Sequence, residues 1–164
     1  MIRETPYDPP VLKRLTALGA AFLVFVFATT TAAAGLTSAE ARLLRDLNSV
    51  RAAHGLTPLR YDPHLQRAAR AHSRDMLLSQ IFQHGAFGAR MVQFDVRGSL
   101  TGENLAWGNG SLGSATSIVR AWLESPEHRA NLLRPGFTRI GIGDLVGPFL
   151  GYDGAHVVTA DFAG

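Results

Sequence analysis

The chain has 164 residues, of which 46% are hydrophobic and 18% charged, a composition that excludes a disordered or collagen-like protein. The formal net charge is only +3, and the arginines stand singly among acids, which excludes the basic runs of a nucleic-acid-binding protein. There is no cysteine, so disulfides, thiolate zinc sites and a cysteine nucleophile are excluded as well.

The first feature in chain order is an uncharged, largely apolar stretch over residues 15–38 that follows the basic pair Lys13-Arg14. Its small residues Ala32-Ala33-Ala34 satisfy the Ala-x-Ala cleavage rule. We therefore expect residues 1–34 to be a cleaved signal peptide and residues 35–164 to be one exported domain, secreted or in the periplasm or cell envelope. An uncleaved anchor is the alternative, because a bilayer span needs roughly 20 such residues.

Two helices are predicted next. Thr37-Ser38-Ala39-Glu40 is a capping box, and leucines recur at helical spacing after it until Gly55. Asp62-Pro63 supplies an N-cap followed by proline at the first helical position, and a helical stripe continues to about Ser79. Residues 81–113 are interrupted by glycines, which indicates loops around short elements.

Ile118, Val119, Trp122 and Leu123 have the spacing of a third helix, with Trp122 expected in the core. Ser125-Pro126 ends it and is expected to cap a short fourth helix. Further on, the pattern changes to that of β-strands, around Ile140 and Ile142 and again around Val157, Val158 and Phe162, which predicts a C-terminal hairpin. Helices followed by strands indicate an α+β fold with an antiparallel sheet.

The residues that could carry chemistry are His84, Glu103, Glu124 and His128, which lie in the least regular part of the chain. Imidazole and carboxylate groups suit a divalent ion such as zinc, and an open coordination position would let it polarise water or hold a ligand. From spacing alone, an exposed loop histidine or a capping glutamate is the commoner outcome. No nucleotide cofactor is expected, because the G-x-G-x-x-G pattern at residues 108–113 lacks a strand-turn-helix unit around it.

The chain resembles the CAP superfamily of cysteine-rich secretory, antigen five and pathogenesis-related proteins, in its cysteine-free bacterial branch. The resemblance runs from about Leu43 to Phe162 and rests on an ordered series of motifs. They are Leu47-Asn48-Ser49-Val50-Arg51, Gly55-Leu56-Thr57-Pro58-Leu59, His72-Ser73, His84, Gly102-Glu103-Asn104-Leu105-Ala106, the run from Trp122 to Leu133, Phe137-Thr138-Arg139-Ile140-Gly141-Ile142-Gly143 and Val158-Thr159-Ala160-Asp161-Phe162.

The resemblance implies a three-layer α-β-α sandwich with a central antiparallel sheet. It also implies a cleft with two histidines, which can bind zinc or another divalent cation, and two glutamates. By motif, His84 and His128 carry over as metal ligands and Glu103 as a cleft acid. Glu124 stands two residues after the helix tryptophan, whereas the family acid stands three after it. Glu127 lies where bacterial members usually have glycine, so either glutamate remains a candidate for the second cleft acid.

Members of this superfamily do not share one function. We favour a binding module whose cleft holds a divalent metal and a lipid, glycan or peptide ligand. A metal-assisted hydrolase, a peptidase or esterase with Glu103 as general base, is the alternative. No nucleic-acid partner is expected, and a membrane would be contacted only through an uncleaved N-terminal segment.

Overall fold

The computed structural model describes residues 35–164, so the predicted signal peptide lies outside the described residues. The elements are α1 (Ser38–Ala53), β1 (Arg60–Tyr61), α2 (Pro63–Ser79), α3 (Phe87–Gln93), β2 (Thr101–Gly108), α4 (Ala115–Glu124), α5 (Pro126–Leu132), β3 (Arg139–Phe149) and β4 (Tyr152–Ala163). In this part of the chain no helix has both the length and the apolar character that a membrane crossing requires.

The predicted helix starts are confirmed for α1 and α2. The Thr37 hydroxyl accepts a hydrogen bond from the Glu40 amide, and the Glu40 carboxylate accepts one from the Thr37 amide, which completes the capping box. The Asp62 carboxylate accepts from two amides in the first turn of α2. Ser125 occupies the N-cap position of α5, but its side chain makes no cap hydrogen bond, so that part of the prediction is wrong.

The sheet has the strand order β1-β3-β4-β2, and β4 pairs antiparallel with both of its neighbours. The short strand β1 pairs parallel with β3, which adds one parallel strand to the antiparallel sheet that was expected. The predicted hairpin is confirmed as β3 and β4, whereas β2 lies in the segment interpreted as loops.

Two helical layers cover the sheet, which gives the three-layer α-β-α arrangement. On one face, residues of α1, α4 and α5 form a core with alternate residues of β4; it includes Leu43, Leu47, Ile118, Trp122, Leu132, Val158, Ala160 and Phe162. Trp122 is 1% exposed, which confirms its predicted core position. On the other face, α2 packs against Leu105 and Val157 through Met76.

Candidate functional site

The candidate site is built around Glu103, which lies in the edge strand β2 with its side chain only 3% exposed. His84, in the loop between α2 and α3, donates a hydrogen bond from Nδ1 to Glu103 Oε1 at 2.7 Å. A carboxylate that accepts from Nδ1 favours the neutral tautomer whose Nε2 carries a lone pair. The His84 side chain is 58% exposed, so its free nitrogen is accessible to a ligand.

The second oxygen of Glu103 is occupied by an arginine. Arg90 on α3 forms an ion pair with Glu103 Oε2 and lies 3.7 Å from Asp161 Oδ1. Asp161 stands directly across from Glu103 in the pairing of β2 with β4. Glu103 therefore bridges the exposed imidazole of His84 and a buried guanidinium, and neither of its oxygens is free.

His72 on α2 is a further residue that lies next to Glu103. Its Nε2 donates a hydrogen bond to the carbonyl of Gln83 at 2.9 Å and lies 3.8 Å from Glu103 Oε2. Burial, followed by the charge of Arg90, lowers the pKa of His72 to about 4. His72 is therefore neutral near pH 7 and holds the backbone next to His84.

Both buried carboxyl groups of the cluster have raised pKa values. Burial raises the pKa of Glu103 to about 7, against the opposing charge of Arg90. Burial and then the charge of Glu103 raise the pKa of Asp161 well above its ordinary value, and neither Asp161 oxygen has a hydrogen-bond partner. We assign the proton to Asp161 because Glu103 is the acid that contacts both Arg90 and His84.

His128, on α5, is the third predicted site residue. Burial, followed by the charge of His84, lowers the pKa of His128, whereas the charge of Glu127 raises it. The two imidazoles therefore lie within electrostatic range of each other. Asn104 Nδ2 donates to the His128 carbonyl at 3.0 Å, which ties this part of α5 to the strand that carries Glu103.

Glu124 is placed elsewhere. It lines a surface depression of about 670 Å³ together with Leu123, Pro126 and Arg129, and none of His84, Glu103 and His128 lines that depression. Of the two candidate second acids, Glu127 is the one that acts on the pKa of His128.

A complete metal centre is not formed by the side chains alone. Within residues 35–164 no group of three or more histidine, cysteine or acidic residues is placed to hold a metal ion. His84 and His128 are two nitrogen donors whose remaining partners would have to come from water or a ligand.

The family model for the cysteine-rich secretory protein family, abbreviated CAP, matches residues 44–162 of the chain. The chain belongs to the CAP family. An uncharacterised protein of Bacillus subtilis, YkwD, is 35% identical over 120 residues, which cover 70% of this chain and 46% of that protein. A second, the uncharacterised membrane protein YlbC, is 31% identical over 112 residues, which cover 65% of this chain and 32% of that protein. This chain thus spans less than half the length of either relative.

Solved CAP structures show the same fold. An extracellular protein of Bacillus anthracis that contains an SCP domain superposes with a TM-score of 0.63 at 30% identity, covering 74% of this chain and 39% of that one. An outer surface protein of Borrelia burgdorferi superposes with a TM-score of 0.61 at 25% identity, covering 74% of this chain and 90% of that one.

Sequence reasoning assigned no site role to three residues that surround Glu103, namely Arg90, Asp161 and His72. Asp161 had a usable signal, because it is the single acid in the apolar strand Val157 to Phe162 and so had to be buried with a partner. His72 was named only as part of the His72-Ser73 motif, without a role in the site. Arg90 carried no signal, because it lies on a short helix in the glycine-interrupted segment.

Proposed function

We propose that this CAP domain is an exported binding module whose cleft at His84, Glu103 and His128 holds a divalent cation, zinc first, together with an oxygen-bearing ligand. The observation that carries the proposal is the pairing of both Glu103 oxygens, one with His84 and one with Arg90. A carboxylate in this arrangement orients a metal-binding imidazole through its other nitrogen, as acids behind metal ligands commonly do.

The donor chemistry fits such a cation. The lowered pKa of His128 keeps its imidazole neutral at neutral pH, and His84 has an accessible nitrogen opposite the one that Glu103 engages. Two imidazoles leave coordination positions open for ligand oxygens, and a bound zinc ion would supply Lewis acidity that polarises such an oxygen. This supports a lipid, glycan or peptide ligand that completes the metal's coordination.

The same pairing argues against the hydrolase. A general base must take a proton from water, and at Glu103 this would compete with the hydrogen bond from His84 on one oxygen and the ion pair with Arg90 on the other. Turnover of an ester or peptide library by the zinc-loaded protein, abolished both by chelator and by His84→Ala, would contradict a pure binding role.

Calorimetry of zinc binding tests the proposal. His84→Ala and His128→Ala should each weaken binding by about tenfold or more, since each removes one of two nitrogen donors. Affinity should fall as the pH is lowered, because protons compete with the metal for the imidazole nitrogens.

Two matched controls accompany these variants. His54→Ala removes an exposed histidine at the end of α1, and Glu124→Gln alters the acid that lines a different depression; both should leave zinc affinity unchanged. Equal zinc affinity of the wild type and His84→Ala at about pH 7.5 would contradict the proposed metal site. A loss of affinity in Glu124→Gln as large as in either histidine variant would show that Glu124 takes part in zinc binding.

Export is the other half of the proposal. It is supported by the Ala32-Ala33-Ala34 end of the apolar stretch and by solved relatives that are described as extracellular or outer-surface proteins. N-terminal sequencing of protein isolated from the cell envelope or medium should find a start at or near Gly35. Retention of Met1 would instead favour an anchored protein.

A further inference from the structure

A second polar depression, of about 540 Å³, lies between α1, the start of α4 and the strands β3 and β4. His156 lines it and has the same alternation along β4 as Val158 and Ala160, which pack against α1 and α4. Glu103 instead contacts α3, on the side of the sheet where α2 packs. The depression is therefore on the opposite face of the sheet from Glu103, and a ligand bound there would not occupy the proposed metal cleft.

The depression contains an oriented imidazole. His156 Nδ1 donates to Asp144 Oδ1 at 2.8 Å; the Asp144 side chain is 3% exposed and that of His156 is 28% exposed. This bond leaves the lone pair of the neutral imidazole on Nε2, which has no hydrogen-bond partner within residues 35–164. Gly113 leaves room for this ring, since an added Cβ there would stand only 2.6 Å from His156 Cδ2.

Two arginines share this depression. Arg42 and Arg45 are both exposed on α1, three residues apart and hence on one face of the helix, and neither forms an ion pair within the described part of the chain. Two acids line the depression as well: Asp46 accepts a hydrogen bond from Thr116 at 3.1 Å, and Asp144 accepts one from His156. Within residues 35–164, the guanidinium groups of Arg42 and Arg45 and the Nε2 atom of His156 are the groups of this depression that have neither an ion-pair nor a hydrogen-bond partner.

We propose that this depression is a binding site for a phosphate monoester, held by Arg42, Arg45 and the Nε2 atom of His156. The two guanidinium groups supply planar pairs of donors that match phosphate oxygens. As a monoanion, a phosphate monoester carries a P–OH group that can donate a hydrogen bond to the lone pair on His156 Nε2, whereas a deprotonated carboxylate ligand has no proton to donate. A phosphate group therefore offers a complementary interaction to each of the three side chains.

Calorimetric titration with glycerol phosphate, at constant ionic strength, tests the site. The double variant Arg42→Ser/Arg45→Ser should weaken binding by about tenfold or more, as expected for the loss of charge-assisted hydrogen bonds. His156→Gln should also weaken binding, because it removes the proton-sharing nitrogen. Arg60→Ser/Arg74→Ser is the matched control: it removes two exposed arginines from other surfaces and should bind as the wild type does.

Since Arg42 and Arg45 are exposed, their variant should keep the wild-type melting temperature, so that a lost affinity reports on binding rather than folding. Equal affinity in the wild type and the Arg42/Arg45 variant, or no saturable binding by the wild type up to about 50 mM, would overturn the proposal. Vesicles that contain phosphatidic acid, compared with vesicles of phosphatidylcholine alone, distinguish a lipid headgroup from a soluble monoester as the source of the phosphate.

Discussion

Glu103, Asp161 and Arg90 place two acids and one base in a region almost closed to water. Two ionised carboxylates on neighbouring strands with one guanidinium would leave a net negative charge buried, which is strongly unfavourable. A proton on Asp161 removes that charge. The cluster is neutral as a whole, and Glu103 remains ionised where it meets His84.

Asp161→Asn tests this assignment through stability. Because the folded-state pKa of Asp161 is raised, the stability from this group is fully present below the unfolded pKa near 4 and is lost as the pH rises through the folded pKa. Asparagine keeps the neutral form at every pH. The variant should therefore melt about 3–5 °C above the wild type at pH 8, for a gain of about 1 kcal/mol, and lose less stability between pH 5 and 8. Scanning calorimetry measures both.

Asp153→Asn, at an exposed position, is the control and should not change the pH profile. An Asp161→Asn protein that is less stable than the wild type at pH 8 would show instead that the aspartate is ionised in the fold.

At the scale of residues, the family motifs predicted His84 and Glu103 as site residues, whereas His72 and Asp161 stood in motifs without a predicted role and Arg90 stood in none. His84 and Glu103 were identified by motif and are in contact. The role of Arg90 could not be predicted, because it depends on the packing of α3 against β2. Local sequence patterns do not predict such a contact. Spacing could not separate Glu124 from Glu127, because the chain changes direction at Ser125, between α4 and α5.

At the scale of elements, glycine caused the main error. Glycines in residues 81–113 were interpreted as loop signals, yet two of them lie in β2. A Cβ at Gly102 would stand 2.7 Å from the Phe137 ring, and one at Gly108 would stand 2.5 Å from the Leu112 carbonyl oxygen. These glycines allow a strand to pack closely against its neighbours. Composition alone does not distinguish such glycines from glycines in loops.

Gly141 in β3 likewise allows close packing, here between the sheet and α2. An added Cβ would stand 2.0 Å from the carbonyl carbon of Leu65, which belongs to the backbone of α2 and cannot turn away. Gly141→Ala should therefore force α2 off the sheet and cost about 3 kcal/mol or more in the free energy of unfolding, measured with urea.

Gly147 on the same strand is the matched control, because its added Cβ would meet only the flexible end of Leu77 at 3.5 Å. Gly147→Ala should be neutral within about 1 kcal/mol. Similar losses in the two variants would mean that strand flexibility, and not contact with α2, determines the effect.

At the scale of the whole molecule, Arg51 joins parts that are far apart in the chain. It is 1% exposed and donates to the carbonyls of Thr57, Leu132, Arg134 and Phe137. These bonds hold the end of α5 and the connection to β3 against the end of α1. The position of His128 on α5 therefore depends in part on a side chain in the first helix.

Arg51→Met should cost about 3–5 kcal/mol of unfolding free energy, because it fills part of the space but leaves buried carbonyls without donors. Urea denaturation followed by circular dichroism measures the loss, and Arg74→Ser, an exposed arginine on α2, should change stability by no more than about 0.5 kcal/mol. A fully stable Arg51→Met protein would show that these carbonyls are satisfied in another way.

The three-layer arrangement was expected from the resemblance to the CAP superfamily; the order of helices before strands was predictable from the periodicity of the chain. The strand order was not, since β2 reaches the sheet edge beside β4 and β1 pairs with β3 over a long separation in sequence. Such pairings are determined by the packing of whole elements against each other, which periodicity within one element does not describe.

The central position of β4 has a consequence for when the protein can fold. This last strand lies between β3 and β2, so without it β2 has no partner in the described sheet and β3 keeps only the short β1. When the chain has left a ribosome or a translocation channel only as far as Gly151, β1 and β3 are the only strands of the described sheet that can pair. The complete sheet can therefore form only after Ala163 has emerged, so folding of the domain must follow release of nearly the whole described chain.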